Sequence, residues 1–133
     1  MQILDILLVA ANAPSGEREL FDRVLTERCV GIETVKSYAK AIESLARHNH
    51  RIVVLAHLDG RGDLRTAEAI RIMKEIVPDV LIIAVSEELP IEEERELRES
   101  GVYYYLTRPL DEVELRDVLA GAIAKQTPRK TSS

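Results

Sequence analysis

A chain of 133 residues is long enough for one domain with a full hydrophobic core and too short for two ordinary ones. Its formal net charge of -5 argues against nonspecific nucleic-acid binding, and its single cysteine excludes an internal disulfide and a cysteine metal cluster. No apolar stretch approaches the ~18 to 20 residues that span a membrane, and no basic region precedes the first apolar run. We therefore expect a cytoplasmic protein without a membrane or direct nucleic-acid partner.

The chain begins with an apolar run at residues 6–10, which predicts a strand buried on both faces of a parallel sheet. A helix starting near Ser15 or Gly16 follows. We expect Gly31 to end that helix and residues 32–35 to form an edge strand. The apolar positions of this helix are Leu20, Phe21, Val24, Leu25 and Cys29.

Ser37 is placed to cap a second helix, and the apolar run at residues 51–56 predicts the middle strand of the sheet. Ligands of parallel α/β sheets bind outside the carboxyl ends of the strands, so the residue to examine in this run is Ala56, which can do no chemistry. His48 and His50, in the turn before the strand, are expected to be solvated. The second helix is predicted to bury Ala41, Ile42, Leu45 and Ala46.

Asp63 or Thr66 can cap a third helix, which Pro78 ends, and residues 80–85 form the most apolar predicted strand. We expect this helix to bury Ala67, Ile70, Met73 and Val77.

The helix predicted at residues 90–99 is rich in acids and has only Ile91 and Leu97 as apolar anchors, so we expect it to be the most loosely held. Residues 102–106 predict the fifth strand, and a capping box from Asp111 to Glu114 opens the last helix. The apolar stripe of the last helix is Leu115, Val118, Leu119, Ala122 and Ile123. The predicted organisation is one domain over residues 1–124 and a basic, polar tail or linker over residues 125–133.

Strand and helix thus alternate five times with short connections. Right-handed crossovers then require a parallel sheet with helices on both faces, which predicts an α/β fold in the form of a three-layer sandwich.

Four stretches carry a resemblance to a known family: residues 6–9, 51–55, 78–86 and 101–110. With five βα units at the family's usual spacing, the chain resembles the receiver domains of two-component response regulators over about residues 5–124. The resemblance implies a flavodoxin-like, five-stranded sheet of order 2-1-3-4-5 flanked by five helices.

The resemblance places three alanines where the family has carboxylates. The acidic pair that holds Mg²⁺ is matched by Ala10 and Ala11, and the phosphoacceptor aspartate by Ala56. Mg²⁺ is bound by carboxylates and other oxygen ligands, so we expect no metal site, no cofactor and no phosphoryl transfer at Ala56. Asp59, in the loop beyond the strand, is a nearby carboxylate that could substitute as acceptor.

Other positions of the family's site keep polar or aromatic side chains. Ser86 matches its hydroxyl residue, Arg108 before Pro109 matches its lysine, and Tyr105 matches its switch aromatic. Without the acids the pocket has a positive charge at Arg108. That arginine either forms a site for a phosphate or carboxylate anion, or folds over the pocket onto backbone carbonyls.

The face made by the fourth helix, fifth strand and fifth helix is one that receiver domains commonly use for dimerisation and output. Strand alternation puts Tyr103 and Tyr105 on one side of the fifth strand and Tyr104 on the other. Tyr103 and Tyr105 either form an interaction face with Ile91 and Leu115, or pack under the fourth helix.

The sequence therefore predicts a non-enzymatic signalling module, an atypical pseudo-receiver that works without phosphorylation through a protein partner or as a homodimer. Such a module can also be the regulatory part of a longer regulator with a fused effector domain. Two alternatives stay open: a small-anion sensor that uses Arg108, and a phosphorelay receiver with the displaced acceptor Asp59.

Overall fold

The computed structural model of the chain describes residues 5–10, 16–27, 30–48, 50–56, 66–87 and 89–126. The strands are β1 Asp5–Val9, β2 Gly31–Val35, β3 Ile52–Leu55, β4 Leu81–Ser86 and β5 Tyr104–Thr107. The helices are α1 Glu17–Thr26, α2 Tyr38–His48, α3 Thr66–Ile76, α4 Ile91–Glu99 and α5 Glu112–Gln126. The predicted positions Ala11, Ser15, Cys29, Asp59 and Asp63, and residues 127–133, lie outside the described residues.

The five strands form one parallel sheet in the order β2-β1-β3-β4-β5, which confirms the predicted fold and strand order. β3 is the middle strand, and all of its residues are fully buried because strands flank it and helices cover it. The strand order reverses between β1 and β3, the point at which such sheets open a crevice at their carboxyl edge.

Strand alternation divides the core into two layers. Ile52 and Val54 of β3 face the layer closed by α1 and α5, while Val53 and Leu55 face the layer closed by α2, α3 and α4. Each helix contributes an apolar stripe to its own layer, and the predicted inward positions of α3 are all buried. None of the helices in the described part of the chain is both long and apolar enough to cross a membrane.

The predicted boundary between the first helix and the second strand is wrong in one respect. Gly16 does precede α1, with a φ of 93° that favours glycine, but Gly31 begins β2 and does not end α1. Gly31 pairs with Asp5 of β1, and a Cβ at this position would collide with the Asp5 carboxylate. A larger residue at position 31 would therefore require the exposed Asp5 side chain to move.

The structure confirms the cap of α2 and corrects its buried face. The Lys40 N–H donates to Ser37 Oγ at 3.1 Å, but Ala46 is exposed, and the polar Ser44 is buried beside the predicted Ala41 and Leu45. His50, predicted to be solvated, is buried as well.

The last two helices also differ from expectation. Ile91 is 74% exposed and does not anchor α4, which Leu97 alone holds within that fully described helix. Asp111 caps α5 by accepting a hydrogen bond from the Val113 N–H at 3.0 Å, whereas the Glu114 carboxylate accepts from the Tyr104 hydroxyl at 3.2 Å.

Candidate functional site

Four of the residues matched to the receiver family's site, Ala10, Ala56, Ser86 and Arg108, lie at the carboxyl edge of the sheet. The Ala56 N–H donates to the Val9 carbonyl at 2.9 Å, which places the end of β3 beside the end of β1 and Ala10. The Arg108 N–H donates to the Ser86 carbonyl at 2.9 Å, which ties the end of β5 to the end of β4. The matched positions therefore form one edge of the molecule.

The Arg108 side chain crosses this edge and pairs with Glu17, the first residue of α1. Its Nε donates to Glu17 Oε2 at 2.9 Å and its Nη2 to Glu17 Oε1 at 3.0 Å, while Nη2 also donates to the main-chain oxygen of Ala56. The two side chains are only 15% and 7% exposed. One guanidinium thus joins α1, the end of β3 and the connection from β5 to α5.

The pairing changes the electrostatics expected of this pocket. Glu17 neutralises Arg108 through a two-pronged, charge-assisted contact that partly offsets the cost of removing both groups from water. Of the two arrangements predicted for Arg108, the structure has the one in which it folds onto a backbone carbonyl, and that carbonyl belongs to Ala56. Its main partner, Glu17, was not anticipated, and the free positive charge behind the anion-site hypothesis is not available.

Ser86 and Tyr105, matched to the family's hydroxyl residue and switch aromatic, both donate hydrogen bonds to the loop that follows β4. Ser86, which is buried, donates from its hydroxyl to the Glu87 carbonyl at 2.7 Å, and the Tyr105 hydroxyl donates to the same oxygen at 2.9 Å. The position matched to the family's switch aromatic is therefore tied to the loop between β4 and α4.

A cleft of about 440 Å³ opens beside the ion pair. Both partners of the pair line it, as does a second acidic residue, Glu87. The cleft is lined by Gly16, Glu17, Leu20, Glu87, Arg108, Pro109 and Leu110.

Comparison with solved structures identifies proteins with the same architecture. The chemotaxis protein CheY4 of Vibrio cholerae matches with a TM-score of 0.74 at 14% identity, over 91% of this chain and 99% of that one. A response regulator from Thermotoga maritima matches with a TM-score of 0.76 at 15% identity, over 92% and 99% of the two chains. The chain has the receiver fold.

The same fold occurs within a longer protein. NtrX from Brucella abortus matches with a TM-score of 0.77 at 20% identity, over 93% of this chain but 27% of that one. No protein-family model matches the sequence, and no curated protein matches it. What these comparisons establish is therefore the fold.

The described residues of the carboxyl edge do not fit the divalent ion that receiver domains hold there. Ala10 and Ala56 offer only main-chain oxygens, and the oxygen of Ala56 already accepts a hydrogen bond from Arg108. Across the described residues no group of three or more histidine, cysteine or acidic side chains is placed to hold a metal ion.

Exposed apolar side chains concentrate on the other candidate surface. Ile91 at the start of α4 and Val113 in the first turn of α5 are 74% and 63% exposed. Among the described residues, the exposed large hydrophobic side chains are Ile91, Tyr103, Tyr104 and Val113. Leu115, predicted to belong to this face, is fully buried and belongs to the core.

The tyrosines of this surface lie against α5 more than against α4. The Lys125 ammonium lies 5.6 Å from the centre of the Tyr103 ring, and the Tyr104 hydroxyl donates to Glu114. The negative charge of Glu114 raises the pKa of Tyr104 above its ordinary value, so this phenol stays neutral. Tyr103 and Tyr104 therefore contact residues of α5, while the Tyr105 hydroxyl bonds to the loop before α4.

Proposed function

We propose that this chain is a non-catalytic signalling module of the receiver fold that works without phosphorylation at the end of β3 and acts by binding a second copy of itself. The proposal rests on the ion pair of Arg108 and Glu17, which reaches the carbonyl of Ala56 at the edge where receiver domains hold an acidic cluster.

Two features of this edge support independence from phosphorylation. Phosphoryl transfer needs an acceptor oxygen and a metal that neutralises the developing charge, and the side chain of Ala56 supplies neither. Arg108 already supplies a fixed positive charge, and Glu17 holds that charge in place. Arg108 therefore links α1, the end of β3 and the connection from β5 to α5 without phosphorylation of the chain.

The surface from α4 to α5 supports self-association. It carries two exposed apolar side chains, Ile91 on α4 and Val113 on α5, and apolar side chains form the buried centre of most protein interfaces. The solvent-facing side of α4 has both signs of charge, with exposed Glu92, Glu93 and Arg95, so two copies related by a two-fold axis can pair opposite charges.

The match to part of NtrX supports a wider arrangement. In that protein the receiver-like unit is about a quarter of the chain. We propose that this chain likewise serves as the regulatory module of an effector, with dimerisation as its output.

Light scattering after size exclusion, at micromolar concentration, tests this function. We expect a dimer whose mass is unchanged by Mg²⁺ and acetyl phosphate, because the edge has no acceptor side chain at Ala56. The double variant Ile91→Lys, Val113→Lys should be monomeric. Ala46→Lys, a matched control on the exposed side of α2, should remain dimeric.

The same samples distinguish the alternatives. A monomeric wild type would refute self-association, and a gain of one phosphoryl group at Asp59 by intact mass and peptide mapping would establish the displaced-acceptor reading. Stabilisation by inorganic phosphate that disappears in Arg108→Ala would favour the anion sensor.

A further inference from the structure

A second buried polar cluster lies toward the opposite, amino-terminal side of the sheet. His50 precedes β3, Glu33 lies on the edge strand β2, and Ser44 lies on α2. The His50 side chain is 3% exposed and Ser44 is buried. Since these residues take no part in the Arg108 site, the function proposed above does not account for them.

The hydrogen-bond partners of His50 favour a ring that donates from both nitrogens. Nδ1 lies 3.3 Å from the main-chain oxygen of Asp5, which can only accept, so Nδ1 has to carry a hydrogen. Nε2 lies 3.3 Å from a carboxylate oxygen of Glu33 and 3.4 Å from Ser44 Oγ. The Ser44 hydroxyl donates its hydrogen to the other oxygen of Glu33. Every contact is satisfied when both ring nitrogens donate, which is the imidazolium form.

Polar groups reach the His50 ring from each element that packs against it. Glu33 faces it from β2, the Asp5 carbonyl from β1, and the edge of the His48 ring from the end of α2, with ring centres 5.9 Å apart. The hydrogen bond from Ser44 and the nearby His50 and His48 hold the pKa of Glu33 below its ordinary value. Glu33 is therefore a carboxylate throughout the neutral range.

We propose that Glu33, Ser44 and His50 form a proton-responsive latch that fastens the edge strand β2 to α2 and β1. While His50 is charged, its Nε2–H and the Ser44 hydroxyl both hold the Glu33 carboxylate.

Loss of one proton from His50 to solvent reverses these roles. Nε2 then has a lone pair and becomes an acceptor, and the Ser44 hydroxyl can rotate from Glu33 to Nε2. Glu33, already 39% exposed, loses both of its protein donors and turns to water. The edge strand is held more weakly at higher pH, which gives the domain an input that phosphorylation does not supply.

Nuclear magnetic resonance of the full chain between about pH 5 and pH 8, the range in which histidine titrates, tests the latch directly. We expect both ring nitrogens of His50 to be protonated at the acid end and Nε2 alone to lose its hydrogen on titration. Amide protection in Gly31–Val35, relative to Ile52–Leu55, should fall by at least about tenfold, as expected for one lost hydrogen bond between charged groups. An Nε2 without hydrogen at the acid end, or a constant protection ratio, would overturn the proposal.

Two variants assign the response to this ring. His50→Gln keeps an amide donor but does not titrate, so its β2 protection ratio should be independent of pH. His48→Gln, the matched control on an exposed histidine, should retain the wild-type response. A pH response that survives in His50→Gln would refute the latch, and if that variant does not fold, the wild-type titration still decides.

Discussion

Arg108 and Glu17 are 91 positions apart in the chain, yet their contact decides the chemistry of the carboxyl edge. Both side chains are nearly buried, so each group depends on the other to offset its lost hydration. Lysine at position 108 would retain the charge but not the forked geometry that reaches both oxygens of Glu17.

A double-mutant cycle measures this dependence. Arg108→Ala and Glu17→Ala should each lower the free energy of unfolding by about 3 to 5 kcal/mol, because each leaves an uncompensated buried charge. The double variant should lose less than the sum. Arg47→Ala, which breaks the exposed pair with Glu43, should cost at most about 1 kcal/mol. Urea denaturation provides the measurements, and strictly additive losses would contradict the coupling.

At the residue scale, the sequence identified one partner of this pair. The resemblance to receiver domains singles out Arg108, which stands before Pro109 where the family has a lysine. Glu17 had a weak signal, an acid in the first turn of a helix, where the helix dipole favours it. Such acids are common on exposed helix ends, so the pairing could not be distinguished from ordinary placement without the tertiary fold.

Among the elements, α4 shows how little apolar surface a helix of this fold can have. Its one buried residue is Leu97, and its first turn carries three acids. The sequence predicted a weakly held helix but assigned it two anchors. Ile91 and Leu97 are six positions apart, about 120° around a helix, so one of them had to leave the buried face.

Hydrogen exchange tests the weak attachment of α4. We expect amides of Ile91–Glu99 to exchange faster than those of Glu112–Gln126, since fewer buried contacts oppose local opening. Leu97→Ala removes the anchor, at a typical cost of about 2 to 5 kcal/mol, and should accelerate α4 exchange further. Glu99→Ala, an exposed control at the other end of the same helix, should leave it unchanged. Equal protection of α4 and α5 in the wild type would contradict this expectation.

At the scale of the whole molecule, the last residue of α5 bonds to the segments that precede two strands of the sheet. The buried Gln126 amide donates to the carbonyls of Arg51, before β3, at 2.9 Å and of Asp79, before β4, at 2.7 Å. Helix α5 thus extends two residues beyond the predicted domain limit at residue 124. A single polar side chain in a polar stretch does not distinguish a docked residue from a linker.

Truncation locates the functional end of the domain. A chain ending after residue 126 should be as stable as the full chain, whereas one ending after residue 124 should lose about 1 to 3 kcal/mol because two carbonyls lose their donor. Gln126→Ala in the full chain should reproduce most of that loss. The comparison requires thermal or urea unfolding, and equal stability of the two truncated chains would show that Gln126 has no structural role.

The sequence by itself determined the number and order of strands and helices, the parallel sheet and the presence of alanine at positions 10, 11 and 56. These features depend on local periodicity, on the handedness of βα connections and on the residue type at single positions. The tertiary structure alone decided that Arg108 pairs with Glu17, that His50 is enclosed by Glu33 and Ser44, and that Leu115 is core and Ile91 is surface. Each of these outcomes depends on which side chains meet across distant segments, and a polar or apolar residue has the same local pattern whether or not a distant partner covers it.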